Sequence, residues 1–245
     1  MKIPKSHPRY ISLKARDLIV KGLKNGVASM HGLIAHGRGE AFDYLLGEKT
    51  NEPAKKSIDS AAALLLLATH PVISVNGNAA ALVPKELVKL SKLVNAPLEI
   101  NIFHASKSRE LKIKKYLERH GAKNILMPQK NSTIKFLESN RKFANPYGIA
   151  KADAVFVPLE DGDRAEALIK NGKKVIAVDL NPLSRTAQKA TITIVDNITR
   201  ALPLLIDNIK KFRKLKLAKK QLEIIYQKYD SKKILENSVK IIRRL

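Results

Sequence analysis

The chain of 245 residues carries 46 Lys and Arg against 22 Asp and Glu, a formal charge of +24, with 44% hydrophobic residues and no cysteine. That length can bury a substantial core, and the missing thiols exclude disulfides, thiolate nucleophiles and thiolate metal sites. The longest apolar run, 61–68, falls far short of the roughly 20 residues a membrane span needs, and the opening MKIPKSHPRY lacks the apolar stretch of a secretory leader, so a cytoplasmic location is expected.

In chain order, Pro4 and Pro8 bound an irregular start. Ser12 is placed to cap a helix with Ala15, Leu18, Ile19 and Leu23 on one face, ended by Asn25-Gly26. Residues 57–69 read as a second helix, apolar all round in its middle and therefore buried. From there, short apolar runs at 72–75, 98–103, 124–127, 154–157, 175–178 and 192–195 alternate with helical stretches at 82–94, 109–120 and 164–171. Continuously apolar strands alternating with helices indicate a parallel sheet covered on both faces. The Lys-rich tail, 206–245, reads as two or three amphipathic helices. The expected fold is α/β: a Rossmann-like parallel sheet of about six strands over 71–205, with helical segments 1–70 and 206–245 packed on it as one unit.

The charge favours anionic partners. Part of the excess lies at 207–245, where 13 Lys and Arg face 4 Asp and Glu. Aromatics make up only 5%, Trp is absent, and no basic run is interleaved with stacking side chains as in single-strand binders. Nucleic-acid binding is therefore the disfavoured reading of the tail.

Ligands of an open parallel sheet bind beyond the carboxyl ends of its strands, so the residues that follow each strand carry information. They are Asn76-Gly77-Asn78, His104, the acidic cluster Glu160, Asp161 and Asp163, the segment DLNPLSRT at 179–186, and Asp196-Asn197. Each tip has a bland explanation as a turn or helix cap, but five on one edge point to a shared site. Asp179 can accept from ribose hydroxyls, Arg185 can make paired contacts with a phosphate, and Thr186 adds a hydroxyl donor. The acidic cluster could hold Mg²⁺ or simply pair with neighbouring cations. Upstream, GLIAHGRGEAFDY at 32–44 places Arg38 between two glycines, where an open, flexible backbone would suit phosphate oxygens; it is not a P-loop. His36 reads as a base or a cap. Arg16, expected in the first helical turn, opposes the macrodipole there. The six histidines show no metal-ligand spacing, and no nucleophile elbow is present.

The blocks IPKSHPRYISLKARD, GLIAHGRGEAFDYLLGE, PVISVNGNAAALVP, ADAVFVPLEDGDRAEAL and VIAVDLNPLSRTAQKATITIVDNITRA closely resemble the archaeal 4-phosphopantoate–β-alanine ligases, or phosphopantothenate synthetases. The resemblance runs from the start to about Ala201. It implies a Rossmann-like homodimer that joins 4-phosphopantoate and β-alanine on the coenzyme A pathway, using ATP and releasing AMP and diphosphate. It places ATP contacts at Arg16, Arg38, Asp179, Leu180, Asn181, Arg185, Thr186, Asn197 and Ile198. Where relatives carry an Arg-Thr pair after the second strand, this chain has Ala105-Ser106; if that Arg touches the substrate phosphate, Lys107 or Arg109 would have to substitute. An acyl-adenylate route assigns Arg38 and Arg185 to phosphate charge, with Mg²⁺ supplying more, and Asp179 and Asn181 to the nucleoside. Asn76, Gly77, Asn78 and His104 are the expected phosphopantoate contacts, and His104 or Asp163 the candidate base for the amine. The competing expectations are a nucleic-acid binder and a nucleotide-binding regulator without catalysis.

Overall fold

The computed structural model describes residues 3–159 and 161–243. Three helices open the chain: α1 (Tyr10–Lys24), α2 (Met30–Leu45) and α3 (Glu52–Leu67). The central region then alternates: β1 (Pro71–Val75), α4 (Gly77–Leu82), α5 (Pro84–Val94), β2 (Leu98–Ile100), α6 (Lys107–Arg119) and β3 (Ile125–Leu126). Two short strands, β4 (Gln129–Thr133) and β5 (Phe143–Ala144), interrupt it before β6 (Ala154–Pro158), α7 (Gly162–Lys170), β7 (Lys174–Val178), α8 (Arg185–Lys189) and β8 (Ile192–Ile194). The helices α9 (Ile198–Lys214), α10 (Lys219–Gln227) and α11 (Ser231–Ile242) complete the described chain.

The main sheet has six strands in the order β3-β2-β1-β6-β7-β8, every neighbouring pair parallel. This is the expected α/β architecture, and all six apolar runs read from the sequence lie in it. The chain reverses direction across the sheet between β1 and β6, which opens a crevice at their carboxyl ends. The all-apolar middle of α3 is buried between β8, α9 and α10. One cluster of buried side chains joins Ile19 of α1, Ile58 of α3, Ile73 of β1, Leu205 of α9 and Leu222 of α10, so the terminal helices share the core of the sheet. No helix among the described residues is long and apolar enough to cross a membrane.

Several local expectations shift. The first helix begins at Tyr10 with Arg9 at its cap, and Ser12 donates back to the Arg9 carbonyl at 3.2 Å. Ser12 therefore lies inside the first turn and is not the cap. Arg16 moves into the second turn, out of conflict with the macrodipole, which acts mainly on the terminal turn. The third helix starts at Glu52, five residues before the expected 57, because Pro53 suits a first turn whose N–H groups need no partner. The stretch 82–94 divides at Pro84, which cannot continue the helical hydrogen bonds of α4. The pair β4–β5, antiparallel and irregular in register, was not legible in the sequence.

The largest correction concerns 32–44, expected as an open glycine loop. It is the body of α2, capped by Ser29, whose hydroxyl accepts from Gly32 N at 3.2 Å. Of its glycines, Gly32 allows close packing, whereas the space beside Gly37 is open. Asn78 Oδ1 occupies the space a side chain at Gly32 would need, and a Cβ on Gly39 would touch Leu180.

Candidate functional site

The crevice between β1 and β6 is tied at its base by Asn76, which follows β1. Its Nδ2 donates to the carbonyls of Pro158 (2.8 Å) and Leu159 (3.0 Å), while its Oδ1 caps α4 by accepting from Ala79 N (2.9 Å). Asn78 Nδ2 donates to the Gly32 carbonyl at 2.7 Å and locks α4 to α2. Both amides therefore hold backbone in place. Leu159 adopts φ +55°, a left-handed conformation that costs a branched residue of order 1 kcal/mol. It lines two cavities, one on each side.

The larger cavity, about 290 Å³, is walled by Asn76, Gly77, Asn78 and His104, the residues expected to meet phosphopantoate, together with Arg109, Arg141 and Asp161. His104 stacks on His31 with ring centres 4.3 Å apart. Lys107 is not in the wall; of the two replacements considered for the missing Arg, Arg109 is the one that reaches it. Its guanidinium donates to the carbonyls of His104 (3.2 Å) and Val27 (3.3 Å), and burial pushes its pKa below the ordinary arginine value.

Arg141 had no signal in the sequence. It is 4% exposed, donates from Nε to Asn101 Oδ1 (2.9 Å), and pairs through NH1 with Asp161 at 2.7 Å. Asn101 Nδ2 in turn donates to the carbonyls of Arg141 and Phe143, both at 3.1 Å. Two residues earlier on the same strand face, the fully buried Glu99 accepts from Asn145 N (2.8 Å) and Ile149 N (2.6 Å). Burial raises its carboxyl to about 7, against the pull of those amides and of Arg164 and Lys173. Glu99 and Asn101 thus clamp the segment that carries Arg141. A charged residue inside an apolar run was the one available hint.

The expected nucleotide residues gather on the other side of Leu159. Asp179 follows β7 and is engaged by its own loop: Oδ1 accepts from Asn181 N at 2.9 Å, and Oδ2 accepts from the Ser184 hydroxyl, which itself caps α8. Burial raises the Asp179 pKa, while Ser184, the Asn181 amide and the charge of Arg38 pull it down. Arg38 is exposed on α2 and, among the described residues, has no ion-pair or hydrogen-bond partner. Leu180 packs with Leu46, Val195 and Leu235. Arg185 donates to Glu166 Oε2 from Nε (3.2 Å) and NH2 (2.6 Å) and, with Lys170, holds that half-buried carboxylate well below its usual range, at about 2. Thr186 is buried in α8.

Asn197 caps α9 and donates to Asp43 Oδ2 at 2.8 Å. Arg200, one turn into α9, joins Asp43 (2.5 Å) and Asp196 (2.6 Å), and Asp196 also accepts from Thr50 at 2.6 Å. This buried network fixes Asn197 and Ile198 against α2. Arg16 donates from Nε to both oxygens of Glu40 (3.0 and 2.8 Å). Burial opposes ionisation of Glu40, but hydrogen bonds from Arg16 and Tyr44 outweigh it and leave its pKa lowered. His36, with Nε2 buried and unpartnered, is pushed down by burial, so it favours the neutral form. Glu40, Asp43, His36, Leu180, Asn197 and Ile198 enclose a cavity of only about 40 Å³. That holds little more than one water, whose liquid volume is about 30 Å³. A nucleotide would therefore lie along this rim, or α1 and α2 would have to give way.

Glu160 lies outside the described residues, Asp161 is paired with Arg141, and among the described residues no three carboxylate or imidazole groups converge. Asp163, one candidate base, sits in the first turn of α7 and is absent from both cavity walls.

The sequence model of the phosphopantothenate/pantothenate synthetase family matches residues 53–245. The chain belongs to this family. It is 50% identical over 242 residues to the 4-phosphopantoate–β-alanine ligase of Thermococcus kodakarensis, covering 98% of this chain and 92% of the relative. Identity is 49% over 244 residues to the ligase of Thermococcus onnurineus (99% and 93% covered) and 46% over 243 residues to that of Methanosarcina mazei (98% and 94%). Such full-length similarity favours a ligase over a nucleic-acid binder for this basic chain.

Proposed function

We propose that this chain joins 4-phosphopantoate and β-alanine to form 4′-phosphopantothenate for coenzyme A synthesis, using MgATP and releasing AMP and diphosphate. The observation that carries the reading is the junction at Leu159. The 290 Å³ cavity on one side and the nucleotide loops on the other share this residue, so a carboxylate held in the first can meet the α-phosphorus of ATP from the second. A carboxylate oxygen attacks the α-phosphorus, the bond to the diphosphate oxygen breaks, and an acyl-adenylate results. The neutral amine of β-alanine then attacks the acyl carbon, the bond to AMP oxygen breaks, and the amine proton leaves to solvent or a nearby base. Both steps load charge onto phosphate oxygens, which fixed cations stabilise without reorganisation.

Arg38 is the cation for this work, exposed beside Asp179 with no competing carboxylate partner among the described residues. Arg185 joins it after release from Glu166. Asp179, Leu180 and Asn181 hold the nucleoside with Asn197 and Ile198, while Thr186 and Arg16 support the rim. Asn76, Gly77, Asn78 and His104 form the bed for phosphopantoate. Mg²⁺ arrives on the ATP phosphates as part of the substrate.

Supplying MgATP, 4-phosphopantoate and β-alanine together should give AMP and diphosphate, and omitting any one should abolish both. Formation of ADP would overturn the adenylate route, and ATP binding without turnover would make the chain a regulator.

We further propose a cytoplasmic homodimer. The outward face of α2 is apolar, with Met30 60% and Ile34 72% exposed beside Gly37, Ala41 and Leu45. On a chain of charge +24, whose copies otherwise repel, an uncharged stripe suits a second copy of the same chain. Light scattering should give twice the 27.2 kDa chain mass, and Ile34→Glu should shift it to the monomer.

A further inference from the structure

Among the described residues, the arginines around the site are neutralised with one exception inside a cavity wall. Arg16 pairs with Glu40, Arg141 with Asp161, Arg185 with Glu166, and Arg200 with Asp43 and Asp196. Arg109 faces the 290 Å³ cavity with no carboxylate within ion-pair distance among the described residues. Its fixed contacts are two backbone carbonyls, Val27 and His104, and its buried Nε has no hydrogen-bond partner. A half-buried guanidinium without a counter-charge is costly, and the cost is recovered when an anion occupies the space before it.

The fold makes room for this side chain. Arg109 extends from the first turn of α6 across the crevice to the loop after β1, where a Cβ on Gly77 would come within 2.6 Å of its NH2. Any side chain at Gly77 would also strike the Val27 carbonyl. Glycine is thus required there so that the guanidinium can lie flat against the loop. The preceding helix start cannot do this work, because α4 has only six residues and its Ala79 amide is taken by Asn76.

We infer that Arg109 is the specificity-determining residue that reads the phosphate of the acyl substrate, so that the phosphorylated hydroxy acid is accepted and the unphosphorylated one refused. The inference rests on the ligase reading. A phosphate dianion in the cavity supplies the charge that Arg109 lacks and accepts paired N–H bonds from its planar end. A hydroxyl in the same place supplies no charge. Sites built around a polar partner reject analogues lacking it by about 10⁴-fold, so a preference of at least about 10³-fold for 4-phosphopantoate over pantoate in kcat/KM is expected.

The test measures kcat and KM for 4-phosphopantoate and pantoate at saturating MgATP and β-alanine, in the wild type, Arg109→Gln and Arg109→Lys. Arg109→Gln should lower kcat/KM for 4-phosphopantoate about 100-fold or more, mainly through KM, by loss of a charge-assisted contact. The pantoate rate and the KM values for ATP and β-alanine should stay within about threefold, as expected for removal of one contact to one substrate. Arg109→Lys should fall between the two. Melting temperature and ATP affinity establish that each variant is folded. Parallel losses with both hydroxy acids would make Arg109 merely structural and overturn the inference. A rise confined to the KM for β-alanine would assign it to that carboxylate and overturn it equally. Failure of the ligase reading is a separate outcome, seen earlier, when the wild type makes no AMP from either hydroxy acid.

Discussion

The two sides of Leu159 differ in how one cavity-wall cation is held. On the nucleotide side, Arg16, Arg200 and Arg185 are committed to carboxylates, and Asp179 and Asn181 to their own loop. On the other side, Arg141 is likewise paired with Asp161, but Arg109 rests on carbonyls before an open cavity. Paired charges build a frame that stands without ligand, whereas a charge held on backbone alone needs one. Arg38, exposed and unpaired beside Asp179, is the place where the nucleotide side departs from its own pattern.

The strongest way to break this contrast is to attack the frame. Arg200→Ala leaves Asp43 and Asp196 buried without their cation, and losing one member of such a network costs about 3–5 kcal/mol. Chemical denaturation should register that loss. A cost below about 1 kcal/mol, the range of exposed pairs, would mean the network is no frame at all.

Next comes Glu99, which anchors the wall of the larger cavity. Its native pKa of about 7 lies above the ordinary carboxyl value of 4.5, so the native state holds its proton more tightly than the unfolded chain. Its contribution is full below about pH 4.5 and is lost as pH rises through about 7, a swing on the order of 3 kcal/mol. Glu99→Gln should flatten the dependence of melting temperature on pH across that window. An unchanged slope would show that other groups set it.

On activity, Arg38→Ala should lower kcat about 100-fold or more with unchanged melting, the usual effect of removing one transition-state cation or donor. Near wild-type turnover would remove Arg38 from the chemistry. The smallest effect is expected from Glu166→Gln. It frees Arg185 on the surface, so melting should not change measurably, while the KM for ATP should fall about twofold if the released guanidinium meets phosphate. A rise in that KM would make Glu166 a support of the nucleotide rim.

Much of the frame was legible because hydrophobic patterning is local. Runs such as VISV and AVFV announce buried parallel strands, and the polar residues that follow them fall on one edge in any such sheet. The glycine segment 32–44 misled because glycine signals both freedom and close approach, and only a packed neighbour tells them apart. Here Asn78 and Leu180 are those neighbours. Asn101 and Arg141 were invisible as partners, since 40 residues and an irregular strand pair separate them.

By itself the sequence determined the six strands, their order of appearance and the family resemblance, and it named the residues proposed to handle a nucleotide. Only the tertiary structure decided which of those charges are spent on one another and which face a cavity. Strand and helix periodicity arises from neighbours along the chain, whereas the pairing of a charge depends on what folding brings within about 4 Å. For Arg109 that is two carbonyls and a glycine, with no carboxylate among the described residues.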